Sequence, residues 1–288
     1  MYKLCTVTRN NFDKFINMNQ SRDSFNKLNK DFLKLYYESN PIQQLLLRKK
    51  LKLLKYQSDY IGYIWTENRI GHICNINSMN IIHQRDLLTG YSHLINSIKG
   101  YYLLNYECEK NEFNFEILEQ LDFTKSKGLI EMVANLEKPF IFNLRDNISF
   151  HKVIRGKDER IRCILQNQIF NKEDRIPLDI NDIFYDEVQD YYYDDGAILM
   201  KLGDEYIGYG QIIIREGCHY IVNFGILKPY LNKGYGRLFI MHLLNIIYYS
   251  GNYSVRIKVD SYNLPAIMLY KKVGFKEFRE QATWQLKK

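Results

Sequence analysis

A chain of 288 residues, 46% hydrophobic and 25% charged, is long enough for one large domain or two ordinary ones and has the make-up of a globular protein. A net charge of +7 permits a polyanionic partner, but no Lys/Arg block of the kind found in nucleic-acid arms is present. The densest cluster, Arg48, Lys49 and Lys50 with Lys52 and Lys55, reads as the polar side of a helix, so no nucleic-acid partner is expected. Five scattered cysteines give neither a CxxC nor a zinc spacing, the first residues lack a secretory apolar core, and no apolar run reaches the ~20 residues that span a bilayer; a cytoplasmic protein with reduced thiols, no metal and no membrane partner is expected.

In chain order, residues 3–8 suggest a strand and Arg9, Asn10 and Asn11 a turn. Residues 12–18 and 27–38 read as helices, Asn40 and Pro41 as a break, and residues 42–54 as a further helix. Residues 60–65 and 71–76 read as strands joined by a turn at Glu67 and Asn68. A helix over 90–98, a strand over 101–108 and a helix over 113–121 follow, and residues 140–148 join the two halves. The second half runs strand (150–154), helix (158–170), an acidic and aromatic helix or loop (182–193), strand (197–202), a turn at Gly203, Asp204 and Glu205, and strand (206–214). A strand over 219–226, a glycine loop, a helix to Tyr249 and a strand over 255–259 come next. Asn263 then caps a helix with Pro265 in its first turn, and Gly274 ends it.

The order of the first half recurs in the second. Tyr60, Ile61, Gly62 and Tyr63 return as Tyr206, Ile207, Gly208 and Tyr209; Gly90 and Tyr91 return as Gly234 and Tyr235; Asn111 with Phe123 returns as Asn263 with Phe275. Matches in one order at near-constant spacing imply an internal duplication, dividing the chain into residues 1–145 and 146–288.

The densest chemical signal is the stretch Leu231, Asn232, Lys233, Gly234, Tyr235, Gly236 and Arg237, a strand-to-helix turn. Its glycines permit close approach of a ligand and positive φ, and the opening N–H groups of the helix lack internal partners, so the turn suits phosphate oxygens.

This stretch, with Asn263, Ala266, Tyr270, Gly274 and Phe275 after it, resembles the GCN5-related N-acetyltransferase superfamily: its phosphate loop is Q/R-x-x-G-x-G/A and its later segment N-x-x-A-x-x-x-Y-x-x-x-G-F. Leu231 departs from the loop's first position, which removes a side-chain contact and none of the backbone N–H groups. The resemblance implies an α/β (α+β) fold, here two tandem copies, each a mixed and mostly antiparallel central sheet flanked by helices. The first copy is degenerate: Leu118 stands for Tyr270, Asp122 for Gly274 and Ser92 for Gly236, and no basic glycine loop occurs over 82–89.

By this resemblance the protein is an acetyl-CoA-dependent N-acetyltransferase acting on a primary amine of a small molecule, peptide or protein. Direct attack in a ternary complex is implied, with no metal and in a monomer or homodimer. The alternative is a non-catalytic acyl-CoA-binding or regulatory protein. A peptidoglycan-bridge type using aminoacyl-tRNA is disfavoured by the intact Gly234-Tyr235-Gly236. The resemblance places pyrophosphate on Asn232 to Arg237 with charge from Lys233 and Arg237, the pantetheine arm on main-chain groups of Phe224, Gly225 and Ile226, and Asn263 as cap, cofactor contact or both. Tyr270 matches the general acid that protonates the departing thiolate. No carboxylate stands near Tyr220, where some relatives carry a glutamate; the base is His219, a water relay, or an amine that arrives deprotonated. Asp186, Glu187, Asp190, Asp194 and Asp195 fall on the acceptor side and are expected to attract a cationic amine, or else to form a solvated face.

Overall fold

The computed structural model of the chain describes residues 1–68, 71–82, 86–143, 147–173 and 175–288. The first elements are β1 (Tyr2–Thr6), α1 (Phe12–Asn19), α2 (Phe32–Glu38), α3 (Pro41–Lys49), β2 (Leu51–Tyr56), β3 (Asp59–Asn68), β4 (Ile73–Ile81), α4 (Leu87–Asn96), β5 (Leu103–Glu109), α5 (Asn114–Gln120) and β6 (Thr124–Asn135). There follow β7 (Ile148–Lys152), α6 (Glu159–Ile169), α7 (Ile180–Glu187), β8 (Tyr192–Leu202), β9 (Glu205–Arg215), β10 (Cys218–Ile226), α8 (Tyr235–Tyr249), β11 (Ser254–Asp260), α9 (Leu264–Lys272) and β12 (Lys276–Lys287).

The chain forms two compact units, one of Met1–Leu129 with Arg279–Lys288 and one of Ile130–Phe278. In the first the strand order is β1-β2-β3-β4-β5-β12-β6, antiparallel from β1 to β4 and parallel from β4 to β5. In the second the order is β7-β8-β9-β10-β11-β6, again antiparallel from β7 to β10 and parallel from β10 to β11. The same strand plan thus occurs twice, as expected of a tandem mixed sheet. The anticipated division between residues 145 and 146 falls within 144–146, outside the described residues.

In the second unit alternate residues of β8 serve opposite faces, as the two-residue period of a strand requires. Ile198 and Met200 join the cluster of Ile212, Ile221 and the buried side of α8, including Phe239, Leu243, Leu244 and Ile247. Ala197 and Leu199 pack with Leu165 of α6 and with Tyr209 on the other face.

Four expectations need correction. The helix expected over 27–38 starts at Phe32, because Asp31 accepts hydrogen bonds from the Leu33 and Lys34 N–H groups and caps it. The helix expected over 42–54 stops at Lys49; Leu51, Leu53 and Leu54 are fully buried in β2, which pairs with both β1 and β3. Glu67 and Asn68 lie within β3, and the connection to β4 passes through residues 69 and 70, outside the described residues. Strands β6 and β12 were not expected at all.

Candidate functional site

The loop between β10 and α8 begins with a short 3-10 turn at Lys228–Tyr230. Asn232 then takes φ +61° and Gly234 φ +87°, both left-handed, two residues apart. Alternating backbone hands of this kind turn successive N–H groups into one concavity, a nest for anions. Gly234 is the N-cap of the 15-residue α8 and supplies no side-chain cap, so the opening N–H groups of the helix face outward unsatisfied. Lys233 and Arg237 are exposed beside them. Leu231 is 49% exposed, so the apolar residue in place of a Gln or Arg sits on the surface rather than filling the concavity. A Cβ built on Gly236 would lie in ordinary van der Waals contact with Leu269 at 3.5 Å and Ile226 at 4.0 Å, so this glycine packs the start of α8 against β10 and α9.

The strand leading into this loop is irregular. β10 pairs with β9 in register to Val222, slips, and resumes at Gly225, leaving a bulge that contains Asn223 with φ +48°. Its parallel pairing with β11 ends at Ile221 and Ile257. Beyond that point, among the described residues, no loop or side chain bridges the two strands by hydrogen bonds, and the main-chain groups of Phe224, Gly225 and Ile226 lie beside the gap. Gly225 is also sterically required: a Cβ there would lie 2.2 Å from Ile169 of α6.

Tyr270, on α9, is 6% exposed, with its ring 6.3 Å from that of Phe224 and 5.9 Å from that of Phe275. Burial raises its pKa above the ordinary phenol value, so the group is neutral, and among the described residues its hydroxyl has no hydrogen-bond partner. Asn263 accepts a hydrogen bond from the Ala266 N–H at 3.3 Å and is exposed, as a cap expects. The structure thus brings Phe224, Gly225, Ile226, the loop residues and Tyr270 into one region of the second unit. His219 stands apart at the start of β10, seven residues before Ile226, or roughly 23 Å at the strand rise. It is 5% exposed, packs edge-on against Tyr193 at 6.2 Å, and burial lowers its pKa. It lines a cavity of about 600 Å³ with Glu137, Cys218 and Arg256, at the end of β10 away from the glycine loop.

The acidic stretch has another use than expected. Arg162 of α6, 1% exposed, makes ion pairs with Asp186 and with Glu187 at 3.2 Å. Asp194 pairs with Arg155 at 2.7 Å and Asp195 with Lys152 at 2.5 Å. Four of the five carboxylates expected to attract an amine therefore already face cations of this chain, and a pool of uncompensated negative charge there is not what the structure contains. Arg162, Gln211 and Asn223 drew no attention from spacing. The one available signal was a cation at position 162 on the same helical face as Leu165 and Ile169.

The first unit repeats several of these bonds position for position. Asn111 accepts from the Asn114 N–H at 2.8 Å where Asn263 accepts from Ala266, and Phe123 donates to the Leu118 carbonyl at 3.0 Å where Phe275 donates to that of Tyr270 at 3.0 Å. Asp122 holds φ +64° where Gly274 holds φ +97°. One difference is decisive. Pairing of β4 with β5 ends at Ile76 and Tyr106, and the opening beyond is filled by residues 25–30 of the same unit. The Lys30 N–H donates to the Asn77 carbonyl at 2.9 Å; Asn29 donates to the Met79 carbonyl at 3.0 Å and accepts from its N–H at 3.3 Å. Asn26 donates to the Glu107 carbonyl at 2.8 Å and accepts from the Glu109 N–H at 3.0 Å. The main-chain groups that remain available in the second unit are consumed in the first. The expected glycine-loop position of this unit includes residues 83–85, outside the described residues.

Residues 166–275 match the model of the Acetyltransferase (GNAT) family. No curated protein sequence matches the chain. Among solved structures the chain is similar to a GCN5-related N-acetyltransferase from Sphaerobacter thermophilus, at 14% identity and TM-score 0.56, with 99% of this chain and 95% of that chain covered. It is also similar to an acetyltransferase from the GNAT family from Colwellia psychrerythraea (10% identity, TM-score 0.48, 99% and 100% covered) and to a tandem GNAT protein from the clavulanic acid biosynthesis pathway (8% identity, TM-score 0.46, 100% and 98% covered). The first likeness is one of fold across nearly the whole chain. Residues 166–275 are therefore a domain of the GNAT acetyltransferase family, whose members in general carry out acyl-CoA-dependent acetyl transfer.

Proposed function

We propose that the second unit binds acetyl-CoA and transfers its acetyl group to a primary amine, and that residues 1–145 and 146–288 descend from one duplicated unit of which only the second retains this site. The observation that carries the reading is the pairing of a left-handed Asn232/Gly234 nest with an open split between β10 and β11, against a split closed by Asn26 and Asn29 in the other unit. Residues 232–237 would hold the pyrophosphate, with Lys233 and Arg237 adding charge, and residues 224–226 would offer amide partners to the pantetheine arm. Asn263 serves chiefly as the cap of α9.

In the reaction the amine nitrogen attacks the thioester carbonyl carbon, the carbon–sulfur bond breaks, and the thiolate leaves while the nitrogen loses a proton to solvent. Holding the two reactants together accounts for much of the acceleration. Tyr270, kept neutral by burial, donates a hydrogen bond to the sulfur as charge develops. Full proton transfer from a phenol raised above its usual value of ~10 to a thiolate near ~8.5 runs uphill, so the contribution of Tyr270 is chiefly charge stabilisation. The position and burial of His219 favour an amine that arrives deprotonated over a histidine base. The test is thiol release over an amine panel. Acetyl-CoA-dependent release with wild type, slowed by Tyr270→Phe and unaltered in pH profile by His219→Ala, supports the reading. Binding without release for any amine would favour the acyl-CoA-binding alternative.

A further inference from the structure

Within the second unit a chain of buried and half-buried polar side chains runs from α6 and α7 to the bulge of β10. Asn223 donates from its side-chain amide to Gln211 Oε1 at 3.0 Å. Gln211, fully buried on β9, donates from Nε2 to Asp186 Oδ2 at 2.9 Å. Asp186 is held by the Arg162 guanidinium and accepts from the Tyr191 hydroxyl at 2.8 Å. Arg162 also donates to Glu187 at 3.2 Å and to Gln211 Oε1 at 3.4 Å, and its guanidinium lies 5.3 Å from the centre of the Tyr209 ring. The amide directions agree throughout: both partners of Gln211 Oε1 are donors and the partner of Nε2 is an acceptor.

We propose that Arg162, Asp186 and Gln211 are positioning residues for the acyl-CoA site, acting through Asn223 to hold the β10 bulge open. Resting on the acyl-CoA reading above, this adds a determinant distant from the glycine loop. A non-glycine residue at φ +48° sits in a sparsely populated conformation that persists only where its surroundings impose it. Asn tolerates that conformation, and the Gln211 bond fixes it. The bulge in turn takes Phe224 and Gly225 out of register with β9, beside the open split. By the spacing of the Tyr-Ile-Gly-Tyr repeat Gln211 corresponds to Trp65, packed edge-on against Phe32 at 5.1 Å; the residue paired with Gln211 is Val222, and the one paired with Trp65 is Ser78, bonded to the Tyr63 hydroxyl at 2.8 Å. No residue there takes positive φ over Asn77 to Ile81. The Arg162–Asp186–Gln211–Asn223 chain thus accompanies the open split; in the first unit, where the split is filled, the β3–β4 register also slips between Trp65 and Thr66, but a different chain runs from Ser78 through Tyr63 and Asn19 to Asp31.

The test is calorimetric titration of acetyl-CoA into the full chain and into Gln211→Leu, Asn223→Ala and Asn223→Gly, with fold monitored by circular dichroism. Loss of one hydrogen bond that holds the bulge predicts an acetyl-CoA Kd raised about five- to tenfold in Gln211→Leu and Asn223→Ala. Asn223→Gly, which accepts positive φ without a tether, should stay within about threefold of wild type. If an amine substrate is in hand, its KM should be unmoved while the acetyl-CoA KM rises, a split that general loss of structure does not produce. A folded Gln211→Leu or Asn223→Ala that binds acetyl-CoA as wild type overturns the assignment alone. Should Gln211→Leu fail to fold, Asn223→Ala decides by the same criterion, since Asn223 is only partly buried on its strand. Absence of binding by wild type overturns the acyl-CoA reading and this assignment with it.

Discussion

At the scale of single residues, the proposed acetyl-CoA site depends most on Gly234 and Tyr270. Gly234 at φ +87° cannot take a side chain without backbone strain of about 1 kcal/mol or more, and a carboxylate there would also meet the anion it is meant to receive. Gly234→Glu is expected to abolish acetyl-CoA binding, measured by calorimetry, with Tm lowered by only about 2–4 °C, the effect of that strain. Tyr270→Phe removes only a hydroxyl that has no partner among the described residues. It should keep acetyl-CoA Kd within about twofold and lower kcat on the order of 100-fold, the lower range for loss of one donor aimed at developing charge. A Kd change as large as the kcat change would assign Tyr270 to binding instead. These residues were visible in the sequence because a turn and a helix segment are local: the spacing of Gly234 to Gly236 and of Asn263 to Phe275 is itself the structure. Gln211 and Asn223 were not, because their meeting depends on which strands neighbour each other.

Among elements, α8 contributes a pH dependence. His242 stacks on Phe150 of β7, ring centres 4.0 Å apart and planes within 7°, and burial pushes its pKa down from 6.5 to about 4. A histidine depressed in the folded state binds its proton first in the unfolded chain, so its contribution is present above pH 6.5 and is lost as pH falls toward 4. His219, also lowered by burial, acts in the same direction. Tm should therefore fall between pH 7 and 5, and His242→Phe should flatten part of that fall; an unchanged slope would show that His242 is not the group responsible. In the first unit, Asn29→Ala strands the N–H and carbonyl of Met79 and the Tyr106 hydroxyl, and should destabilise by about 1–3 kcal/mol in denaturant unfolding. The segment over residues 51–56 shows why some elements are not legible in the sequence. Leu51, Leu53 and Leu54 are spaced equally well for a helix face continuing from α3 and for a half-buried strand, and only pairing with β1 and β3 decides. The recurrence of β3 in β9, by contrast, is legible from the shared Tyr-Ile-Gly-Tyr, since Gly62 and Gly208 each face a main-chain carbonyl and an isoleucine that leave no room for a Cβ.

For the whole molecule, the proposed division of labour between units rests on what occupies each split sheet. The first unit includes Arg279–Lys288, and β12 pairs with β5 from Gln281 to Lys287. A fragment ending at residue 145 therefore lacks an interior strand of that unit, and its inactivity would mean nothing; function must be apportioned in the full chain. Deleting residues 279–288 should unfold the first unit, seen as loss of hydrogen-exchange protection in β5 and α5. The most direct test of a single acetyl-CoA site in the second unit is the stoichiometry of acetyl-CoA binding to the full chain by calorimetry, with Gly234→Glu in parallel. One site per chain, absent from Gly234→Glu, is predicted. Two sites per chain, or a single site that survives Gly234→Glu, would contradict it.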